Sequence, residues 1–473
     1  MFQGMLWTFA DMFIIKGIAF IAGIYLARVL GPEEFGLIGM ISIFIAIGTS
    51  LVESGLSSSI IRASKVDKTD FSTVFYVNMV MSVLTYLIIY ISAPLIAKFY
   101  NQEILIDVIR LFCISFLITG LSSVQLAILN KKMLFKTIAY YNVPATITGI
   151  IVGIYLGLNN YGVWSLVWMH IATKIVLSFL LWLNSDWKPG LDFSLHKLKY
   201  HYSYGYKLLL AGLLNKFYLN LYNIIIGKYF SIQTIGWYER SSSYNNYSSD
   251  VLTGIIKKVT FPLLSNIKKN KIKLSEVYKK ILGLTILVSA PIMIGLAAIA
   301  EPLFLFFLGE EWLPAVVFFQ ILSIASVLYP IHSLNLNILK VYGRSDLFLK
   351  LEVYKKIITT ACIVISFQFG IIGLVWSSVI ASIISLLINT KYSGELINYN
   401  TKSQLYDMLP VCFITFVTGI IMMESVFLLN EFPHLLQITI TGFIGLIFYI
   451  SINYIMKVKA FMYAIELIKQ YKK

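Results

Sequence analysis

Charged residues are scarce in this chain. Only 13% of its 473 residues are Asp, Glu, Lys or Arg, about half the share usual in a soluble domain, which excludes an ordinary water-soluble fold. Acidic residues are scarcer still, 23 against 38 basic ones. Cysteine is nearly absent. Cys113, Cys362 and Cys412 all fall in apolar stretches without C-x-x-C spacing or a neighbouring histidine, so they read as small buried hydrophobes and not as disulfide, metal or nucleophile sites. No G-x-x-x-x-G-K-[ST] phosphate loop occurs, and neither a cofactor nor a metal is expected. Missing too is any polar stretch large enough for a soluble catalytic domain, the longest connection being Asn184 to Tyr206. An enzyme is therefore not expected.

What fills the chain instead is apolar sequence, 58% of all residues. Runs long enough to cross a bilayer, about 18 residues or more, recur from end to end, so the first reads as a retained helix and not as a cleaved signal. Spans are expected near 5–27, 35–56, 71–93, 107–129, 138–158, 161–183, 207–228, 236–262, 281–300, 314–339, 354–369, 370–390, 409–430 and 434–456. The reading is an all-α integral membrane protein with about fourteen transmembrane helices. Twelve or thirteen are the alternatives, because 354–369 is short and 236–262 polar.

The net charge of +15 records orientation and not nucleic-acid binding. Thirty of the 38 basic residues fall in one alternating set of loops and helix ends. Five, Arg28, Lys98, Arg110, Lys228 and Arg240, fall in the other, and three lie inside spans. Basic residues accumulate on the cytoplasmic side, so both termini are expected there.

Residues 200 apart match without a gap. Lys16 aligns with Lys216, Arg28 with Lys228 and Gly36 with Gly236, within IYLARVLGPEEFG (24–36) and IIIGKYFSIQTIG (224–236). Six spans per repeat keep both halves in the same orientation, the pattern of parallel-repeat transporters. The expected organisation is a six-helix lobe over 1–205, a second over 206–392, and two extra helices with a basic tail over 393–473.

The lysines inside spans are Lys16, Lys174 and Lys216. A charge at bilayer mid-depth costs about 2.5–3.5 kcal/mol, so each implies either an anionic cargo or a paired carboxylate. At 100° per residue, Glu239, Ser243, Asn246, Asp250, Thr253, Gly254 and Lys257 share one arc of the 236–262 helix, which lines a hydrated cavity or a polar helix seam. Lys216, Asn220, Asn223 and Gly227 share another arc. His170 lies one turn from Lys174 and serves either a neighbouring helix or the site. Asp11 either neutralises a lysine or couples ions.

The sequence resembles the polysaccharide-export flippases of the multidrug/oligosaccharidyl-lipid/polysaccharide (MOP) superfamily, the branch exporting O-antigen, capsule or colanic-acid-type units of lipopolysaccharide and related polymers. The similarity lies in ARVLGPEEFG (27–36), FSTVFYVNMV (71–80), APLIAKFYN (93–101), YNIIIGKYFS (222–231), FPLLSNI (261–267), GEEWLPAV (309–316) and LNLNILKVYGRSDLFLKLE (334–352), and it weakens after about residue 400. The resemblance implies two six-helix lobes around a cationic cavity in the bacterial cytoplasmic membrane. It implies flipping of an undecaprenyl-diphosphate-linked oligosaccharide by alternating access driven by H+ or Na+, with a polymerase and a chain-length regulator as partners. On this reading Lys16, Lys174 and Lys216 hold the diphosphate, and Arg28, Lys228 and Arg240 receive it. Asn220, Asn223, Tyr244 and Asn246 contact sugars. Asp11, Glu239 and Asp250 are the coupling candidates. Relatives commonly read Y-x-R-A-D where this chain reads Tyr238-Glu239-Arg240-Ser241-Ser242, so the aspartate is lost and Glu239 is the carboxylate at hand to replace it. The alternatives are a cation-coupled drug exporter of the same superfamily, disfavoured by the lysine excess, and a membrane polymerase or glycosyltransferase, which lacks a visible acidic metal site.

Overall fold

A computed structural model describes residues 2–53 and 55–471, with side chains from Ile15 to Gln470. Among the described residues every regular element is helical. Two compact units divide the chain, Met1–Gly236 and Trp237–Lys473. This division follows contacts and not the repeat, so the lobe boundaries at 205 and 392 remain proposals.

The first unit holds α1 (Phe2–Glu53), α2 (Leu56–Arg62), α3 (Lys68–Tyr100), α4 (Leu105–Phe112), α5 (Ile114–Lys131), α6 (Phe135–Leu158), α7 (Val163–Leu183), α8 (Leu195–Leu219), α9 (Leu221–Tyr229) and the start of α10 (Ile232–Ile267). The second holds the rest of α10 with α11 (Lys271–Ala298), α12 (Ala300–Phe307), α13 (Leu313–Val327), α14 (Tyr329–Val341), α15 (Ser345–Ser366), α16 (Gly370–Ile397), α17 (Thr401–Leu428), α18 (His434–Ile455) and α19 (Lys459–Tyr471). Within the first, α6 packs on α7 and α1. Within the second, α11 packs on α17, and α17 on α18.

Ten described stretches are long and apolar enough to cross a membrane, eleven if the bent pair α8–α9 counts as one. Fourteen is not the number they give, and the reasons are local. Ile15–Glu53 is a single stretch of 39 residues covering two expected spans, and at 1.5 Å per residue it is nearly twice as long as a bilayer core needs. Inside it Gly31 sits at φ 75 and ψ 176, immediately before Pro32, a backbone state that glycine tolerates and that ends one helix before the next begins. Ser345–Ile397 likewise joins two expected spans, broken at Gly370. Helix α10 is too polar to qualify. The expected 184–206 connection is shorter than the sequence suggested, because Ser194 caps α8 by accepting the Lys197 amide and starts the helix at Leu195.

The repeat has a local structural counterpart inside the first unit. A Cβ on Gly36 would strike the Ile232 carbonyl, and one on Gly236 would strike the Pro32 carbonyl. These are reciprocal contacts between positions 32 and 36 and their partners 200 residues on. Gln233 Nε2 donates to Glu33 Oε1, again a pair 200 apart. Reciprocity of this kind marks a two-fold relation, and the two glycines let the backbones cross at close range.

At the other end of the same unit, a buried strap ties α8 to α2 and α3. His201 is fully buried; its Nδ1 lies 2.8 Å from Ser59 Oγ and its Nε2 3.2 Å from Asp70 Oδ1. Lys197 pairs with Asp70 at 3.1 Å and with Asp67. Asp67 and Asp70 form a capping box on α3. The Lys197 hydrogen bond, then the Asp70 amide, hold the Asp67 carboxyl at about 2. Being depressed below the ordinary carboxylate value, this group supports the fold above that value and loses its contribution only as pH falls through about 2. His201→Ala opens a cavity and strands two buried polar partners, so it should cost about 2–4 kcal/mol of stability, read by thermal unfolding of the purified protein in detergent.

Candidate functional site

In the first unit, Glu53 at the end of α1 lies within electrostatic reach of both Lys174 on α7 and Lys216 on α8. Among the described residues one carboxylate thus faces two ammonium groups, which leaves these three groups with a positive surplus. From sequence, Glu53 reads as an interfacial residue closing its span. Its part in the cluster was missed because 121 and 163 residues separate it from the two lysines. Lys174 is half-buried and Lys216 exposed. His170, one turn from Lys174, stacks on Phe112 with ring centroids 4.6 Å apart, a packing role.

The arc expected along 216–227 is not one continuous face. The chain bends by 43° between α8 and α9, and Gly227 is buried while Lys216 is exposed. At the bend the Ser42 hydroxyl of α1 donates to Asn220 Oδ1 at 2.9 Å and accepts from Asn223 Nδ2 at 3.1 Å. Asn220 also donates to the Lys216 carbonyl at 2.9 Å. Asn220 and Asn223, two of the four sugar-contacting candidates, thus belong to a polar clasp between α1 and the α8–α9 bend. Lys228, near the end of α9, donates to the Phe99 carbonyl, with its ammonium 4.8 Å from the centre of the Phe99 ring. Lys16 is half-buried and Arg28 exposed on α1. Asp11 lies outside the residues whose side chains are described.

In the second unit, Arg240 Nε donates to Glu239 Oε2 at 2.8 Å, and its guanidinium lies 5.9 Å from the centre of the buried Tyr244 ring. Glu239 is therefore the counter-charge of Arg240. Helix α10 carries two polar faces where the sequence reading had one. Ser241, Asn245 and Ser249, spaced by four, are buried. Ser241 donates to the Ala315 carbonyl at 2.7 Å, and Asn245 donates to the Phe319 carbonyl at 3.0 Å while accepting from Ser323 at 2.9 Å. That face is a seam with α13. Asn246, Asp250 and Lys257, on the stripe expected from sequence, are exposed. The i, i+4 spacing of the serines and Asn245 was the available signal for the seam.

Also in the second unit, α11, α13, α16 and α17 enclose a cavity of about 700 Å³ with walls including Ile294, Leu328, Met408 and Phe416 and only a few polar side chains, such as Gln320 and Thr415. Its chemistry fits hydrocarbon. Among the described residues no group of three or more His, Cys, Asp or Glu side chains could hold a metal.

A family model described as polysaccharide biosynthesis protein matches residues 25–317. The chain is 24% identical over 381 residues to the teichuronic acid biosynthesis protein TuaB of Bacillus subtilis (strain 168), spanning 78% of this chain and 77% of that one. To the lipopolysaccharide biosynthesis protein WzxC of Escherichia coli (strain K12) it is 22% identical over 394 residues, spanning 82% and 79%. Among solved structures, the lipid II flippase MurJ in an inward closed conformation matches with a TM-score of 0.72 at 16% identity, over 96% of this chain and 99% of that one. An inward-facing multidrug resistance MATE family transporter of the MOP superfamily matches with a TM-score of 0.61 at 17% identity, over 81% and 95%. At such identities these two likenesses establish the fold, that of a MOP-type transporter.

Proposed function

The chain belongs to the polysaccharide biosynthesis protein family, and from that premise we propose that it is a flippase for a polyprenyl-diphosphate-linked oligosaccharide, working by ion- or proton-coupled alternating access in the bacterial cytoplasmic membrane. The observation that carries the reading is that Lys174 and Lys216 both lie within electrostatic reach of Glu53, one carboxylate against two ammonium groups among the described residues. A diphosphate is strongly hydrated, and stripping that water must be offset by fixed charges and donors. Lysines left with a positive surplus supply both. Lys16 completes the inner set, with Arg28, Lys228 and Arg240 as the receiving cations on the side away from the lysine-rich loops. The Asn220–Asn223 clasp and the exposed Asn246 offer hydrogen-bonding groups to sugars and Tyr244 a ring edge, while the lipid tail stays in the bilayer. Asp250 and Asp11 remain the coupling candidates; Glu239, neutralised by Arg240, serves coupling only if that pair opens. The relatives, a teichuronic acid and a lipopolysaccharide biosynthesis protein and a lipid II flippase, support cargo of this class. The polymerase and the chain-length regulator would act on the exported unit.

A multidrug resistance MATE family transporter shares the fold, but a surplus of lysine would repel a cationic drug. The test is to replace Lys16, Lys174 and Lys216 singly by alanine and to measure surface polymer and intracellular lipid-linked unit. Accumulation of the unit with loss of polymer is expected. Normal export by all three variants at normal expression removes the proposal.

A further inference from the structure

A cavity of about 690 Å³ opens in the second unit where the starts of α11 and α17 meet the turn between α18 and α19. The lysine-rich loops place this end on the expected cytoplasmic side. Lys457 takes φ 48, and the Val458 amide closes α18 by donating to the Asn453 carbonyl at 3.1 Å. That turn lays α19 along α11. Phe461 and Ala464 pack on the core around Tyr278 and Leu282, and Ala460 approaches Gly283 closely enough that a Cβ there would lie 3.1 Å from its own. Lys457 and Lys459 are thereby fixed on the same rim as Lys279 and Lys280.

The rim carries four ammonium groups against two carboxylates, Glu276 and Asp407. Asp407 is already committed, pairing with Lys279 at 3.0 Å and accepting the Tyr399 hydroxyl. Lys280 lies 4.7 Å from the centre of the Tyr463 ring, which presents its charge to the cavity wall. Among the described residues neither Lys457 nor Lys459 makes an ion pair. The cavity therefore holds a surplus of cation donors at the end of a bundle of spanning helices. Its lining includes the well-exposed Tyr406 and Met456, and their chain neighbours Leu409 and Ile455, also well over half exposed, lie on helices that qualify as membrane spans.

We propose that this basic cavity binds the phosphate headgroup of an anionic membrane lipid, with the acyl chains lying along the exposed faces of α17 and α18. Basic pockets between helices on the cytoplasmic side select anionic headgroups through charge and hydrogen bonds. Both parts of such a ligand have a counterpart here, which neither a soluble phosphate nor a zwitterionic lipid provides. Nothing in this site depends on which cargo the chain moves.

The experiment uses the purified full chain in neutral detergent, titrated separately with phosphatidylglycerol, phosphatidylcholine and inorganic phosphate, and read by native mass spectrometry and by the shift in melting temperature. Phosphatidylglycerol should bind and stabilise; phosphatidylcholine and inorganic phosphate at the same concentrations should not. The triple variant Lys280→Gln/Lys457→Gln/Lys459→Gln should bind phosphatidylglycerol on the order of 100-fold more weakly with its lipid-free melting temperature unchanged. The corresponding triple arginine variant should bind as the parent does. The proposal is overturned if the glutamine variant keeps its affinity, if phosphatidylcholine binds equally, or if inorganic phosphate alone reproduces the shift, which would make the site one for a soluble anion. Should the glutamine variant melt early, the single Lys459→Gln variant decides, with a fall of about fivefold expected and unchanged affinity overturning the site.

Discussion

Gly36→Leu is expected to cut export of the lipid-linked unit by about 5–150-fold while the protein still reaches the membrane. The added side chain must enter the space against the Ile232 carbonyl, a backbone atom that cannot swing aside as a side-chain end can. Overpacking of this kind costs about 1–3 kcal/mol, and each 1.4 kcal/mol is a factor of ten in a conformational equilibrium. The cost falls only on the state in which α1 and the start of α10 cross closely. If the proposed alternating-access cycle makes and breaks this crossing, the variant shifts the population toward the parted state. Gly236→Leu should act in the same direction, because its clash with the Pro32 carbonyl is the mirror contact. The double variant should be little worse than either single one, since both act at one crossing. Site-directed labelling of cysteines placed on this segment reads the shift directly, alongside expression measured on the same membranes. Labelling that matches the parent, with export intact, would show that the crossing is static packing and not a moving part.

The glycine pair also shows how much of the fold the sequence carries. Apolar length and loop charge were enough for an all-helical membrane protein, and the gapless offset of 200 relates the positions that the structure brings together reciprocally at 32, 33 and 36. Other features escaped because they depend on where helices bend and not on which residues they contain. The break at Asn220 splits an arc that looks continuous in a helical projection, and it turns Asn220 and Asn223 toward Ser42. The polar stripe of α10 conceals a second stripe, because serine and asparagine suit a buried seam as well as an open face. The count of fourteen is not confirmed, but the breaks at Gly31 and Gly370 fall where the sequence reading separates neighbouring spans, inside stretches that length and apolarity alone run together. Glu53 was the largest omission. A carboxylate at a helix end is ordinarily solvated, and only the folding of α7 and α8 beside it gives it two cations.

Glu53 allows the two readings of the lysines to be separated by the direction of KM. If Lys174 and Lys216 hold a diphosphate, Glu53 competes with the cargo for them. Glu53→Gln then removes a competitor, so KM for the lipid-linked unit should fall, and kcat should fall too because release is slowed. Lys174→Ala removes a charge-assisted contact worth about 1.5–3 kcal/mol, and KM should rise about 10–150-fold. The double variant Glu53→Gln/Lys174→Ala should have intermediate KM, with coupling between the two sites visible as non-additivity. If the lysines serve only as counter-charges, the pattern is different. Each single variant then strands an uncompensated charge and loses stability, the double variant regains it, and KM stays near the parent value throughout. Both quantities are accessible in proteoliposomes carrying a fluorescent diphosphate-linked oligosaccharide, with melting temperatures recorded on the same preparations. Opposite movements of KM in the two single variants require that cargo and carboxylate contend for the same ammonium groups, an outcome that simple neutralisation cannot produce.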